Sequence, residues 1–330
     1  MNKCKQSDNK ALSVLFGLLF TGITSNAAAE TFVADLSHIH GTYTPKDGDI
    51  GQPDMSKPHK GSVAVPVFGL QGVQERLPDY PTNNGPFIEG RFVVHEHFGT
   101  HVDAPAHVEN NEATRESGNP DLRTAEELTA EDLYGPVVYL DISARVQAEL
   151  DNNNGIPGPI SVTDFSDESK VGITATDIEA IEDKIKEGVW IVVNTNWSKF
   201  FYEEDKKKSP YINNWNYPGF SAGACDKLIE IEDRKGIRID GIVMDNMSVG
   251  SGDNGTGPKD DWIDAWHCHI RGIQRGWLLV ENAANLGRLS NAKPGSCSLF
   301  VGALKIANAA GVPSRVIAVC ESREHQQDYP

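Results

Sequence analysis

Four of the ten histidines of this 330-residue chain lie within thirteen residues, at positions 95, 97, 101 and 107. In an extended segment, side chains two residues apart share a face, and His97, His101, Asp103 and His107 have the same parity. Imidazole nitrogens and a carboxylate on one face indicate a site for zinc, manganese or iron, in which Asp103 could bridge two ions. A polar strand edge with hydrogen-bonded histidines is the ordinary alternative, and it fits poorly with four such residues in phase.

Other residues of the segment are interpreted as supporting. His95 is left out of the site, and Glu96 has the opposite parity to the candidate ligands. Gly99 permits a sharp local turn, and Pro105 gives the segment a rigid exit. The cluster therefore needs a backbone that holds it in place.

Runs rich in Val, Ile and Leu recur along the chain and predict strands of a covered sheet. They span residues 31–36, 91–95, 137–141, 189–194, 241–244, 277–280, 300–306 and 316–319. Because helical segments lie between several of them, we expect an α/β fold. Long loops at 41–90 and 151–170 do not separate a second domain, so one domain is expected over residues 30–330.

Capping residues and apolar spacing predict two helices in the second half of the chain. Thr174 or Thr176 can begin one that ends near Gly188. Ser221 can begin another that ends at Gly236.

A third helix is expected from about residue 261 to 275. Trp262, Trp266 and Ile273 define its inward stripe. His269 lies within that stripe, whereas His267 points about 100° away from its centre. His269 is therefore expected to face the core.

The N-terminus is typical of a secretory signal peptide. Three lysines precede an apolar run over residues 11–23, and alanines at 27–29 offer a cleavage site. We therefore expect residues 1–29 to be removed and the mature protein to be periplasmic or secreted, without membrane attachment. Removal would shift the formal net charge from −17 to −19, because three lysines and one aspartate are lost. So acidic a chain repels nucleic acid, which is not an expected partner.

Four cysteines remain after the signal segment: Cys225, Cys268, Cys297 and Cys320. An exported protein can oxidise them, and four cysteines allow three full pairings. Cys297 with Cys320 is one candidate pair, and buried free thiols are an equally good interpretation. No CxxC spacing indicates a thiolate zinc site.

The segment 97–107 resembles the HxGTHxDxPxH signature of the cyclase family, which includes bacterial kynurenine formamidases and isatin hydrolases, and it matches at every fixed position. The resemblance continues through residues 35–38, 195–197, 217–221, 281–282 and 313–318. It implies a single domain with a mixed, barrel-like β-sheet core surrounded by helices, of the family's β/β/α type. The loop at 249–253 departs from the family pattern, which bears on substrate identity more than on the metal.

By this resemblance, three residues of the signature would bind metal: His97, His101 and Asp103. His107, the last histidine of the signature, would transfer protons. Family members add a histidine ligand and a glutamate twelve residues later, and of His267 and His269 only His269 has one, Glu281. A carboxylate at the end of an apolar strand also needs a partner. The expected cofactor is Zn²⁺ or Mn²⁺, as one or two ions.

The chemistry follows from these expected roles. A divalent metal lowers the pKa of bound water toward ~7 and so provides hydroxide at neutral pH, which would attack a carbonyl. His107 would pass the proton to the leaving group. This chemistry needs no serine nucleophile. The resemblance thus implies a metal-dependent amidohydrolase that opens an amide or cyclic amide bond of a small substrate, such as isatin or N-formylkynurenine.

Two alternatives remain open at this point. A lactone or ester hydrolase would use the same attack on a carbonyl. A non-catalytic exported metal-binding protein would not need His107. Export is unusual for kynurenine formamidase chemistry and favours isatin-like substrates. Related chains are oligomeric, so the resemblance also implies a dimer or tetramer.

An aromatic cluster follows the strand at 189–194 and would suit a flat aromatic substrate, although simple loop packing explains it equally well. Its members are Trp197, Phe200, Phe201, Tyr202, Trp215 and Tyr217.

Overall fold

The computed structural model describes residues 30–38, 73–76, 90–108, 121–152, 171–201, 211, 213, 216–250 and 266–323. The expected signal segment, 1–29, lies outside these residues. The described residues include ten strands: β1 (Thr31–Asp35), β2 (Val73–Arg76), β3 (Gly90–Val93), β4 (His101–Asp103), β5 (Tyr134–Asp141), β6 (Val189–Asn194), β7 (Ile239–Met244), β8 (Leu278–Glu281), β9 (Ser298–Ala303) and β10 (Gly311–Glu321). The α-helices are α1 (Ser143–Asn152), α2 (Ala175–Glu179), α3 (Ala222–Lys235) and α4 (His267–Gln274).

Eight strands form one mixed sheet, in the order β1-β10-β4-β8-β7-β6-β5-β9. Strand β9 also pairs with β10, so seven strands close into a barrel and β1 adds to it along β10. The β5–β6, β6–β7 and β7–β8 pairs are parallel, and the other pairs in this sheet are antiparallel. The expected single α/β domain with a barrel-like core is confirmed.

The parallel strands are buried on both faces. Every residue of β6 and β7 is buried, because helices cover the outside of these strands and the barrel closes over the inside. Trp190 and Val192 of β6 belong to the core cluster inside the barrel, whereas Ile191 and Val193 belong to a second cluster that includes Leu228 of α3. The continuous apolar runs in the sequence reflect this double burial.

Helix α3 begins and ends as the sequence predicts. The Ser221 hydroxyl accepts a hydrogen bond from the Ala224 amide at 3.0 Å, and Gly236 ends the helix at φ 62°. Thr174 caps α2, but that helix has a single turn, and a 3₁₀ segment at Glu182–Lys184 follows it. Among the residues that the structure describes, no helix has both the length and the apolar character needed to cross a membrane.

Several elements differ from the sequence-based expectation. The sequence patterns did not predict strand β4 or helix α1, because β4 has only three residues and α1 buries only Val146 and Leu150. Strand β10 has eleven residues and pairs with three partners, so it extends well beyond the predicted 316–319. Residues 261–265 of the predicted third helix lie outside the described part of the chain.

A disulfide links Cys297, just before β9, to Cys320 in β10, which confirms one of the possible pairings. Cys225 and Cys268 are free and buried. The bond joins two neighbouring strands at the closure of the barrel.

Candidate metal centre

Pairing between β4 and β8 forms the base of the site. It places His101 directly opposite Glu281, although the two residues are 180 positions apart in sequence. Asp103 ends β4 and is completely buried, and His101 and Glu281 are buried beside it. The Nε2 atom of His101 lies 3.2 Å from Asp103 Oδ1 and 3.6 Å from Glu281 Oε2. The backbone of the barrel thus brings two carboxylates to one imidazole.

His97 and His107 lie on either side of β4 in the sequence, and their side chains also approach Asp103. Gly99 has φ 64°, and beyond this turn His97 Nδ1 lies 2.6 Å from Asp103 Oδ1. The 3₁₀ segment Pro105–His107 brings the His107 ring to 4.1 Å from the His97 ring, between centroids. The extended geometry assumed for the whole segment is therefore wrong outside residues 101–103, and a turn and a 3₁₀ segment produce the convergence.

The His97 ring occupies space that a glycine leaves open. A Cβ atom added to Gly311 of β10 would lie 2.8 Å from Nδ1 of His97 and would overlap its Cε1 atom. Any larger residue there would therefore displace His97 from Asp103.

Helix α4 supplies a further histidine. His269 is buried, with Nδ1 3.2 Å from Glu281 Oε1 and Nε2 3.5 Å from Asp103 Oδ2. His267 lies on the other face of the helix, where its Nε2 contacts Asp226 at 2.8 Å. The expectation that His269, and not His267, faces the core is confirmed. The five expected ligands and His107 come together in space.

The site carries buried atoms that a cation would satisfy. Among the described residues, three such atoms have no hydrogen-bond partner: His101 Nε2, Asp103 Oδ2 and His269 Nε2. The other nitrogen of each ring is held, His101 Nδ1 by the Gly99 carbonyl at 2.9 Å and His269 Nδ1 by Glu281. Burying a polar atom without a partner costs about 1–3 kcal/mol, which a metal ion would offset. Rings held at one nitrogen and free at the other are typical of metal ligands.

Asp103 is shared by two groups of candidate ligand atoms, each group lying within 4.8 Å. One group contains His97 and His107, and the other contains His101 and Glu281. Such nitrogen and oxygen donors suit zinc or manganese, and a shared carboxylate suits a pair of ions. His107 belongs to the first group, so its position would be compatible with binding metal as well as with moving protons.

The buried carboxylates dominate the electrostatics of the site. Burial disfavours the charged form of His101, but Asp103 and Glu281 outweigh it and raise the pKa of His101 to about 9. Burial likewise opposes ionisation of Asp103, yet His107, His97 and His101 hold its pKa well below its ordinary value. Burial lowers the pKa of His107 to about 3, and His269 adds to the effect while Asp103 opposes it. A neutral His107 therefore lies beside an ionised Asp103.

Asn282, which the sequence analysis did not select, follows Glu281 at φ 53°. Its Oδ1 accepts a hydrogen bond from the Tyr211 hydroxyl at 2.8 Å, and its carbonyl accepts one from Thr100 Oγ1 at 2.6 Å. Its amide nitrogen lies 3.4 Å from His101 Nδ1. The available signal was an asparagine directly after a strand, since asparagine tolerates positive φ.

Asp245 directly follows β7, and its carboxylate links this strand to the residues that follow β6. Its carboxylate accepts hydrogen bonds from the Thr195 amide at 3.1 Å, the Thr195 hydroxyl at 2.6 Å and the Trp197 amide at 3.0 Å. Burial outweighs these bonds and raises the pKa of Asp245 to about 6. The residue supports the loops beside the site.

The described members of the aromatic cluster pack into the core. Trp197 and Tyr217 are completely buried, and Phe200 and Phe201 are nearly so. Phe201 stacks on His38 with ring centroids 3.8 Å apart. Tyr202 and Trp215 lie outside the described residues. Packing therefore accounts for the four members that the structure describes.

The two supporting residues of the segment lie at its surface. His95 is exposed, with its ring 5.7 Å from that of His97. Glu96 accepts a hydrogen bond from the Ala310 amide at 2.9 Å, which ties the segment to the start of β10.

The model of the Cyclase family matches residues 34–246 of this chain. The chain therefore belongs to the cyclase family. The match includes the segment 97–107 and ends before His269 and Glu281, which are placed beside Asp103 by the structure.

Solved structures share the fold. Isatin hydrolase A from Labrenzia aggregata is 22% identical with a TM-score of 0.60, over 88% of this chain and 94% of that one. Isatin hydrolase A from Ralstonia solanacearum is 21% identical with a TM-score of 0.58, over 88% and 92%. An isatin hydrolase bound to the product analogue thioisatinate is 21% identical with a TM-score of 0.59, over 89% and 94%. A search of curated proteins found no match.

Proposed function

We propose that the protein is a metal-dependent hydrolase that opens an amide or cyclic amide bond of a small substrate. The proposal is based on the buried atoms of His101, Asp103 and His269 that have no hydrogen-bond partner, with His107 beside them. Membership of the cyclase family supports this interpretation. The resemblance in fold to isatin hydrolases favours an isatin-like lactam over N-formylkynurenine.

Five residues would hold one or two divalent ions, Zn²⁺ or Mn²⁺: His97, His101, Asp103, His269 and Glu281. When bound, such a metal acidifies water and polarises a carbonyl group. The Gly99 carbonyl fixes the proton on His101 Nδ1, which leaves Nε2 available as a donor atom. Ser248 Oγ, 3.4 Å from His269 Nδ1, and Glu281 hold His269 in the same way.

His107 would move the proton. Its ring lies between those of His97 and His269, with centroid distances of 4.1 and 5.3 Å, and it is half-buried. We propose that it accepts a proton from the attacking water and delivers it to the leaving nitrogen.

We also propose that residues 1–29 are a signal segment, so that the mature protein is exported to the periplasm or outside the cell and acts as a homo-oligomer. The motivation is the N-terminal pattern and, for the oligomer, the family resemblance. Intact mass of the secreted protein and its mass in solution would test both points.

The test of function compares substrates with matched metal states. Protein stripped by a chelator is reloaded with Zn²⁺ or Mn²⁺ and assayed on isatin, N-formylkynurenine, a small lactone and a simple ester. We expect turnover only after reloading, and the highest kcat/KM on isatin. Faster turnover of the lactone or the ester would support that alternative. A reloaded protein inert to all four would contradict the proposal and favour a metal-binding role.

A further inference from the structure

Two cysteines lie where α3 packs against α4. Cys225 is in the first turn of α3 and Cys268 is the second residue of α4, and both are buried. Cys225 Sγ lies 3.8 Å from the Cys268 carbonyl oxygen, at the contact between the two helices. Neither thiol takes part in the proposed reaction.

We propose that Cys225 and Cys268 form a second disulfide, which cross-links α3 to α4. Cys225 Sγ already lies against the backbone of Cys268, and a disulfide requires the two sulfur atoms to come within about 2 Å of each other. The chain also carries the Cys297–Cys320 disulfide, so conditions that form that bond act on this pair as well. The inference does not rest on the proposed function.

The bond would form by thiol–disulfide exchange with a small disulfide oxidant. One thiolate attacks a sulfur of the oxidant, which releases one thiol and leaves a mixed disulfide. The second thiolate then attacks the protein sulfur and releases the other half of the oxidant as a thiol. The cysteines lose two protons and two electrons, and the oxidant gains both. Because both residues are buried in the folded chain, exchange would occur before α4 packs on α3.

The cross-link would restrain the helix that carries a candidate ligand. Cys268 directly precedes His269, whose Nε2 is 3.5 Å from Asp103 Oδ2. It would also close a loop over a sequence separation of 43 residues, which limits the freedom of the unfolded chain. The second disulfide thus couples the position of His269 to the packing of α3.

Peptide mapping tests the bond directly. The full chain is refolded with oxidised glutathione until the Cys297–Cys320 peptide is found linked, then denatured with N-ethylmaleimide and digested without reductant. We expect a peptide pair joining Cys225 to Cys268, two hydrogens lighter than the sum of its parts. Alkylation of both residues, in a digest where Cys297 and Cys320 are linked, would overturn the proposal.

A second measurement isolates the effect of the bond on stability. The double variant Cys297→Ala/Cys320→Ala retains only the proposed bond, and we expect reductant to lower its Tm by several degrees. The matched control, Cys225→Ala/Cys268→Ala, retains the other disulfide and reports what that bond contributes. An unchanged Tm of the first variant on reduction would count against the cross-link.

Discussion

Asp103 is the residue on which the candidate metal centre depends most. It has no exposed surface, and its two oxygens lie 2.6 Å from His97, 3.2 Å from His101 and 3.5 Å from His269. Three imidazoles from a turn, a strand and a helix therefore converge on one carboxylate. We therefore expect substitution of Asp103 and substitution of a neighbouring histidine to have different effects on the metal centre.

Separate roles for Asp103 and His107 predict separate defects. Asp103→Ala is expected to lose bound metal, because both groups of ligand atoms include this carboxylate. His107→Ala is expected to keep metal and to lose about 100- to 10,000-fold in kcat, the range for general acid–base catalysis. Elemental analysis beside steady-state kinetics measures both. Unchanged metal in the first variant would exclude Asp103 as a ligand, and full activity in the second would exclude proton transfer by His107.

Tyr211→Phe tests the packing of Asn282 against His101. It removes the hydroxyl that donates to Asn282 at 2.8 Å, so the Asn282 amide near His101 loses an anchor. We expect metal affinity to fall by about tenfold, the lower end for residues that support metal ligands. Tyr139→Phe is the matched control, because its hydroxyl bonds Asp141 away from the site. Equal metal affinities in the two variants, measured by competition with a chelator, would contradict this role.

Residues with regular spacing could be found from the sequence, and residues joined only in space could not. His97, His101, Asp103 and His107 lie in one short segment, and the helical stripe separated His269 from His267. The Tyr211 hydroxyl bonds an asparagine 71 positions away, and no spacing in the sequence records such a pair. Aromatic character alone also could not separate a pocket wall from core packing, as Trp197 and Tyr217 show.

Elements with strong internal signals were predicted well. Strands β6 and β7 are continuous apolar runs, and α3 has a serine cap and a glycine stop. Strand β4 has Val102 as its only apolar residue, and its strand conformation comes from pairing with β8 and β10. The element that carries two candidate ligands was therefore the one that local sequence could not reveal.

Gly241 of β7 tests the close packing of the barrel. A Cβ atom at this position would lie 2.6 Å from the Trp190 ring and would overlap the Leu278 carbonyl oxygen. Gly241→Ala is expected to lower the free energy of unfolding by about 1–3 kcal/mol or more, as overpacking does. Gly287→Ala is the control, since its Cβ would meet Asn194 at an ordinary 3.6 Å. Equal midpoints in urea denaturation for the two variants would contradict the expected clash.

At the scale of the whole molecule, the class of fold was predictable and its closure was not. Alternating strands and helices indicated α/β, and the family resemblance implied a barrel. Closure itself results from the β9–β10 pairing and from three partners along β10, and these contacts are set by packing between distant segments. Assigning strands from the sequence does not show which strands pair with one another.

The pH dependence of global stability offers a further prediction. Burial, with Asp132 and Glu187 nearby, raises the pKa of Asp240 to about 6 although Arg238 opposes it. The folded state then holds this proton more tightly than the unfolded state, so the contribution of Asp240 to stability falls as pH rises from about 4 to 6. Asp240→Asn should gain stability relative to the parent over that interval. Urea denaturation at several pH values, with the exposed Asp183→Asn as control, measures the difference, and a constant difference would contradict the assignment.

The pairing of His101 with Glu281 also bears on how the chain folds. Contacts across 180 residues form late in folding, because the long intervening chain must first be ordered. A metal ion that needs both residues can bind only after the barrel has closed. It should therefore slow unfolding strongly while leaving the early folding rate unchanged. Metal would therefore stabilise the closed barrel against unfolding and would not help the barrel to form.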